Sequence, residues 1–297
     1  MVARPDSGAA ENVEEKEAAA NICMRPHGTR VLLFCASPVF GNKTQVLKPK
    51  LVRLMSQQAK SFLDFSTGFE DTSERSPYIV TLEFSGKNTT WFCVGSIIDH
   101  EWIVTVASCT NPASSVKISY GAANRLEPSY HVSVSNATFY PRFDFNKWYH
   151  HDIVLIKVPF IRYSKKVKAV ALPKTRSMFR NVWAYSAGWG QHKDTKELMQ
   201  ILHSTQIQII GNKDCITGGY GERFKSGMMC AQLPNMEKSC RLDSGSPLVM
   251  LKPTVLLGIA SFGNQLGCES NTPLVYTRIN SYTQWMAEVM AEEGSRK

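Results

Sequence analysis

From residue 76 onward, short apolar runs rich in β-branched and aromatic residues alternate with turn residues. They fall at 78–84, 92–98, 102–106, 116–120, 153–158, 182–187, 206–210, 255–261 and 274–279, each of strand length and with no helical period between them. Many short strands of this kind predict an all-β barrel or sandwich. The segment 281–290 differs, because Tyr282, Trp285, Met286, Val289 and Met290 recur on one face of a helix. No repeat of the solenoid or propeller kind is visible.

The pattern before residue 65 is different. Residues 1–22 are rich in Ala and Glu and have neither period, so they cannot bury enough surface to order alone; they read as disordered or as an artefact of the assumed start. From Met24 the chain runs through a basic stretch, a ten-residue largely apolar stretch and Gly41, which is the grammar of a short signal peptide over 24–41. A buried strand or an amphipathic anchor is the competing reading, and a proline inside the apolar stretch weakens the signal-peptide one. The expected organisation is an atypical N-terminus over 1–41, a linker or pro-segment over 42–64 and a folded domain over 65–297. No run of 18 apolar residues exists, so no transmembrane segment is expected.

At 297 residues, 43% apolar and 20% charged, the composition is that of an ordinary globular chain, which excludes global disorder and collagen-like structure. The formal net charge is +9 and would favour acidic partners: glycosaminoglycan, anionic membrane or nucleic acid. Residues 1–70 hold 9 basic and 7 acidic side chains, so most of the excess lies in the body. It reads as thinly spread, and its densest cluster, Arg162, Lys165, Lys166 and Lys168, as a solvated loop. No aromatic interleaving or nucleic-acid motif accompanies it, so no nucleic-acid partner is expected.

Eight cysteines are present, of which Cys23 and Cys35 would be absent from a chain started at Met24 and cleaved after Gly41. The remaining six are an even number, as an oxidising compartment favours. Sequons at Asn42, Asn88 and Asn136 agree with a secretory route and predict glycosylation.

Candidate chemistry begins with CRLDSGSPLV over 240–249, where an Asp-Ser-Gly turn precedes an apolar strand. Such a turn can expose a nucleophilic hydroxyl beside backbone N–H donors. WIVTVASC over 102–109, HDIVLIKV around Asp152, AGWG over 187–190, SFG over 261–263 and PLVYTRINSYTQW over 273–285 accompany it in order. Together they resemble a chymotrypsin-fold serine protease domain (the S1, trypsin-like family) from about residue 65 to the C-terminus. The resemblance implies two six-stranded antiparallel Greek-key barrels with a C-terminal helix. No cofactor or metal is expected.

Carried over residue by residue, the resemblance puts Ser244 on the nucleophile and Asp152 on the orienting carboxylate, but Ser108 on the histidine. The mechanism needs a base near neutral pKa within reach of the serine, and a hydroxyl cannot serve. Losing the base alone costs on the order of 10⁶-fold in turnover in enzymes of this mechanism. His100, His150 and His151 are the candidate substitutes, but all three are assigned to the surface: strand alternation turns His151 away from Asp152, and His100 lies about a strand length off.

Other positions point the same way. Leu242 stands where the resemblance expects an oxyanion-hole glycine. Lys238 stands where trypsin-like members hold an acidic pocket residue, and Leu274 where a glycine keeps that pocket open. Ser261 and Gly263 carry over to the remaining pocket landmarks. Residues 63–68 contain no basic activation junction, so Asp243 is expected to lack its ammonium partner and the oxyanion loop to stay zymogen-like. The resemblance also implies disulfides Cys93–Cys109, Cys215–Cys230 and Cys240–Cys268. A further family bridge is absent at both ends, which are Ala184 and Met250.

These readings predict a secreted, catalytically inactive serine protease homologue that serves as a protein-binding scaffold. The alternatives are a weakly active serine endopeptidase using Ser244 and a cationic effector binding heparin-like glycosaminoglycan or microbial surfaces. The chain is also similar in style to testis-expressed protease homologues.

Overall fold

Where one face of a strand opens to solvent, alternation marks it. In the strand Ile79–Ser85, Val80, Leu82 and Phe84 are fully buried while Glu83, on the opposite face, is exposed. The computed structural model describes residues 69–142, 150–190, 197–233, 242–263 and 272–295. All of them fall in the compact unit that spans Leu54–Lys297.

The first half of that unit is one antiparallel sheet. Its strands are β2 (Ile79–Ser85), β3 (Thr90–Asp99), β4 (Trp102–Thr105), β5 (Ser115–Tyr120), β6 (Tyr130–Ser135), β7 (Phe139–Pro141) and β8 (Val154–Lys157). They pair in the order β6-β5-β2-β3-β4-β8-β7. The two edge strands are consecutive in the chain and are joined by a single 3₁₀ turn at Asn136–Thr138, so the sheet curls until its edges meet at that corner without pairing.

The second half closes fully. It comprises β9 (Trp183–Gly188), β10 (His203–Ile209), β11 (Met228–Gln232), β12 (Pro247–Leu251), β13 (Thr254–Phe262) and β14 (Leu274–Arg278). β9 pairs with both β10 and β12, which makes a six-stranded ring, and β1 (Phe69–Glu70) adds to the outside of β10. The expected all-β architecture is therefore present, with one closed barrel and one curled sheet.

A short helix, α1 (Asn212–Cys215), follows β10, and the chain ends in α2 (Thr283–Gly294). Met286 of α2 is buried, and Trp285, Val289 and Met290 pack on the core as their spacing predicts. α2 runs four residues beyond the predicted end because Glu293 is anchored there: Lys157 Nζ lies 2.9 Å from its carboxylate.

Two disulfides are formed, Cys93–Cys109 and Cys215–Cys230. The first ties β3 to the turn after β4, and closing a loop of that size contributes about 3 kcal/mol. Cys240 and Cys268 lie outside the described residues, as do Asn42 and everything before residue 69. At the absent bridge, Ala184 is buried in the barrel core and Met250 packs against the same cluster. Apolar contact stands there in place of a crosslink.

Candidate active site

β4 ends at Thr105 and the chain turns through a 3₁₀ segment, Ala107–Thr110, that carries Ser108. Asp152 immediately precedes β8, which pairs with β4 through Thr105↔Val154, so the two residues meet at one end of the curled sheet. The Ser108 N–H donates to Asp152 Oδ1 at 2.7 Å and its hydroxyl to Oδ2 at 3.1 Å. From the closed barrel, the Ser261 hydroxyl donates to the same Oδ2 at 2.5 Å. Thr277 on β14 adds a bond the sequence did not suggest, donating from Oγ1 to the Asp152 carbonyl at 2.7 Å.

Asp152 is 1% exposed. Burial pushes its carboxyl up to about 6, against the opposing pull of hydrogen bonds from Ser261, Ser108 and the Ala107 amide. The carboxylate is thus held by hydroxyls and amides from both halves of the unit.

Ser244 is exposed on a turn set against the same end of β3 and β4. Its carbonyl accepts the Val94 N–H at 2.9 Å. Gly245 follows with φ +86°, and a Cβ there would stand 1.9 Å from the Val94 carbonyl oxygen and 2.3 Å from Thr105 Oγ1. Only glycine fits that contact, which fixes Ser244 beside the strand leading to Ser108. On the other side of the turn, Asp243 Oδ2 accepts the N–H groups of Trp189 at 2.7 Å and Gly190 at 2.8 Å. Burial raises the Asp243 carboxyl, and these two amides and the Arg125 charge oppose the rise. Backbone donors thus satisfy Asp243, while residues 63–68, on which the expected lack of an ammonium partner rests, lie outside the described residues. The approach requires Gly188, where a Cβ would lie 2.7 Å from both Asp243 Oδ2 and Ser246 Oγ.

A trypsin family profile matches residues 66–286. The chain belongs to the trypsin family of serine proteases. It is 35% identical over 227 residues to Serine protease 1 of Drosophila melanogaster, covering 75% of this chain and 84% of that one. Collagenase of Hypoderma lineatum is 29% identical over 230 residues, covering 74% and 85%. Among solved structures, HL collagenase matches with a TM-score of 0.68 at 29% identity over 75% of this chain and 97% of its own. Neuropsin, a serine protease expressed in the limbic system of mouse brain, matches at 0.64 and 25% identity over 75% and 98%.

Leu274 opens β14 and its Cδ2 lies 3.1 Å from the point a Cβ on Gly263 would occupy, so the two residues wall each other off. Leu242 is half-buried and packs against the barrel core. Lys238 lies outside the described residues.

Of the histidines, His151 is exposed as expected, but it sits on a turn with φ +56° rather than in a strand, and its Nδ1 lies 3.1 Å from the Tyr282 hydroxyl. His150 is half-buried, with its ring 4.8 Å from that of His151. His100 is also half-buried, stacked between Phe160 and Tyr163 at 4.6 and 3.8 Å, with Nδ1 2.9 Å from the Ile161 carbonyl. Its expected surface position is corrected: the ring is part of an aromatic stack contributed by the segment after β8. Among the described residues, the hydroxyl and amide donors to the Asp152 carboxylate come from Ala107, Ser108 and Ser261.

Proposed function

We propose that this protein is a secreted, catalytically inactive member of the trypsin family that works as a protein-binding scaffold. The observation that carries this reading is Ser108, whose hydroxyl caps Asp152 at the place where the mechanism needs an imidazole. A hydroxyl does not accept the Ser244 proton near neutral pH and return it to a leaving group, so Ser244 has a positioned turn and no base. The contact of Leu274 with Gly263 supports the reading, because it sets an isobutyl group against the glycine wall where the family admits a substrate side chain. The relatives carry enzyme names; the departure lies in the base and the pocket of this chain, not in its fold.

A fluorophosphonate probe tests the proposal on protein purified from a secretory host. Wild-type labelling is expected to match that of Ser244→Ala. A second reading, a weak endopeptidase using Ser244, draws on the exposure of Ser244 and the hold of Trp189 and Gly190 on Asp243. Labelling that Ser244→Ala abolishes would establish that reading and remove the scaffold proposal.

The secretory part of the proposal has its own check. Asn88 and Asn136 are both exposed, on the β2–β3 turn and the β6–β7 corner. Treatment with an N-glycosidase is expected to lower the mass of the secreted protein, and Asn88→Gln with Asn136→Gln to reduce that shift. An unchanged mass would count against use of these sequons.

A further inference from the structure

The positive charge is concentrated in the segment that joins the curled sheet to the closed barrel. Residues 159–181 contain seven basic side chains, Arg162, Lys165, Lys166, Lys168, Lys174, Arg176 and Arg180, and no acidic one. The other 204 positions of 71–297 balance at 18 basic and 18 acidic. The excess of the folded body is thus the excess of this connector, which corrects the reading of a thinly spread charge.

The connector is an ordered rail. Its backbone is pinned on the sheet side by Ile161 N–H to the His100 carbonyl, Lys168 N–H to Pro77 and Val170 N–H to Ile97, at 2.6 to 2.9 Å. On the barrel side, Leu256 N–H donates to Ala171 at 2.9 Å, Asn280 Nδ2 to the carbonyls of Thr175 and Ser177, and Arg278 Nη1 to that of Met178. Ile161, Val167 and Val170 point inward and are buried, while all seven cations are exposed. Among the described residues, none of the seven enters an ion pair. The nearby acids sit at the two ends: Asp99 beside Tyr163, and Asp214, which shares the surroundings of Gly211 with Arg180.

We propose that this connector is a docking rail for a sulfated glycosaminoglycan. A fixed row of cations attracts a linear polyanion without first having to order its own backbone, and the attraction falls with salt. A protein partner fits less well, because a protein interface centres on a clustered, desolvated apolar anchor, whereas the two large apolar side chains exposed within 159–181, Phe160 and Met178, stand near opposite ends of the segment. Single-stranded nucleic acid needs free aromatic faces to stack its bases, and Tyr163 is already stacked on His100. The two disulfides place the fold in an oxidising compartment, where the polyanions are sulfated polysaccharides. The inference does not depend on the state of Ser244, since retention and labelling are read separately.

Immobilised heparin tests it with the secreted full chain. Wild type is expected to stay bound at about 0.15 M NaCl, where exposed charges are screened beyond about 8 Å. Arg162, Lys165, Lys166 and Lys168, all changed to Ala, should weaken binding by about tenfold or more, the scale expected from losing four exposed ion pairs. Changing Lys174, Arg176 and Arg180 to Ala at the other end should weaken it as well. A control that removes the same charge elsewhere, with Lys87, Lys117, Lys213 and Lys252 all changed to Ala, should remain bound near wild type. Elution of wild type below 0.15 M, equal losses in rail and control variants, or equal retention on double-stranded DNA would each overturn the proposal.

Discussion

Replacing Ser108 by histidine is expected to raise the rate of Ser244-dependent labelling by at least about 10²-fold, the lower end of what a positioned base contributes. The backbone is already in place for it. The N–H of residue 108 donates to Asp152 Oδ1 at 2.7 Å, so an imidazole at the same Cα can direct its Nδ1–H to Oδ2, which the serine hydroxyl now occupies at 3.1 Å. Ser261 holds that oxygen from the other side, so the carboxylate need not rotate. At pH 7.5 Asp152 is ionised even with its carboxyl pushed up to about 6, and it would fix the imidazole tautomer that leaves Nε2 free to take a proton. Labelling in Ser108→His should therefore rise with pH through the ordinary histidine range, near 6.5.

Peptide turnover is expected to lag behind labelling. A small probe needs only the activated hydroxyl, whereas a peptide must also place a side chain where Leu274 meets Gly263. The double variant Ser108→His with Leu274→Gly should hydrolyse peptide esters faster than Ser108→His alone. The direction of this second gain separates the lost base from the closed pocket. If Ser108→His labelled no faster than wild type, the missing base would not be the limiting defect, and the Leu242 backbone would become the leading cause.

The strands that the sequence announced are those rich in β-branched or aromatic residues, alternating with polar ones as in β2 and β5 or in a continuous apolar run as in β13. β11 gave no such signal. Met228, Met229, Cys230 and Ala231 include good helix formers, and they become a strand because β14 pairs beside them through Met229↔Tyr276 and Ala231↔Leu274. β7 is three residues ending in Pro141 and carries no period, and β6 alternates only through the half-buried Val132 and Val134 between exposed serines and histidine, too few apolar residues to announce a strand. Tertiary pairing decides all three.

The same division holds at the site. Motif order located Ser108, Asp152, Ser261 and Ser244, and the structure joins the first three by hydrogen bonds. The amides of Trp189 and Gly190 that hold Asp243 were not legible, because a backbone donor leaves no mark in a side-chain pattern. Thr277 reaches the Asp152 carbonyl across 125 positions of sequence, and nothing in its own strand marks that partner. His100 failed for a related reason, since the rings that stack on it come from Phe160 and Tyr163, some sixty residues later.

The buried carboxylate makes a second large prediction, in stability. Asp152 has its carboxyl raised from 3.8 to about 6, which corresponds to about 3 kcal/mol against ionisation in the folded state. Below about pH 3 the group is largely protonated in both folded and unfolded chains and the penalty is nearly absent. As pH rises through the interval from 3.8 to about 6, the unfolded chain releases its proton first, so this group removes stability, and above about pH 7 nearly all of the loss is present. Asp152→Asn behaves as the neutral form at every pH. Its Oδ1 can still accept the Ser108 N–H, while its amide can donate to the Ser108 and Ser261 hydroxyls, which then turn to accept. The unfolding free energy of Asp152→Asn relative to wild type is expected to climb by about 2 kcal/mol between pH 4 and pH 7, read from denaturant melts at each pH. Asp243 is also raised by burial and shifts both proteins alike, so the difference isolates Asp152. In an active member of the family the corresponding variant would lose turnover; here the expected result is a more stable protein at neutral pH with labelling unchanged. A flat difference across pH would mean that the hydroxyls of Ser108 and Ser261 stabilise the ionised carboxylate enough to cancel its burial.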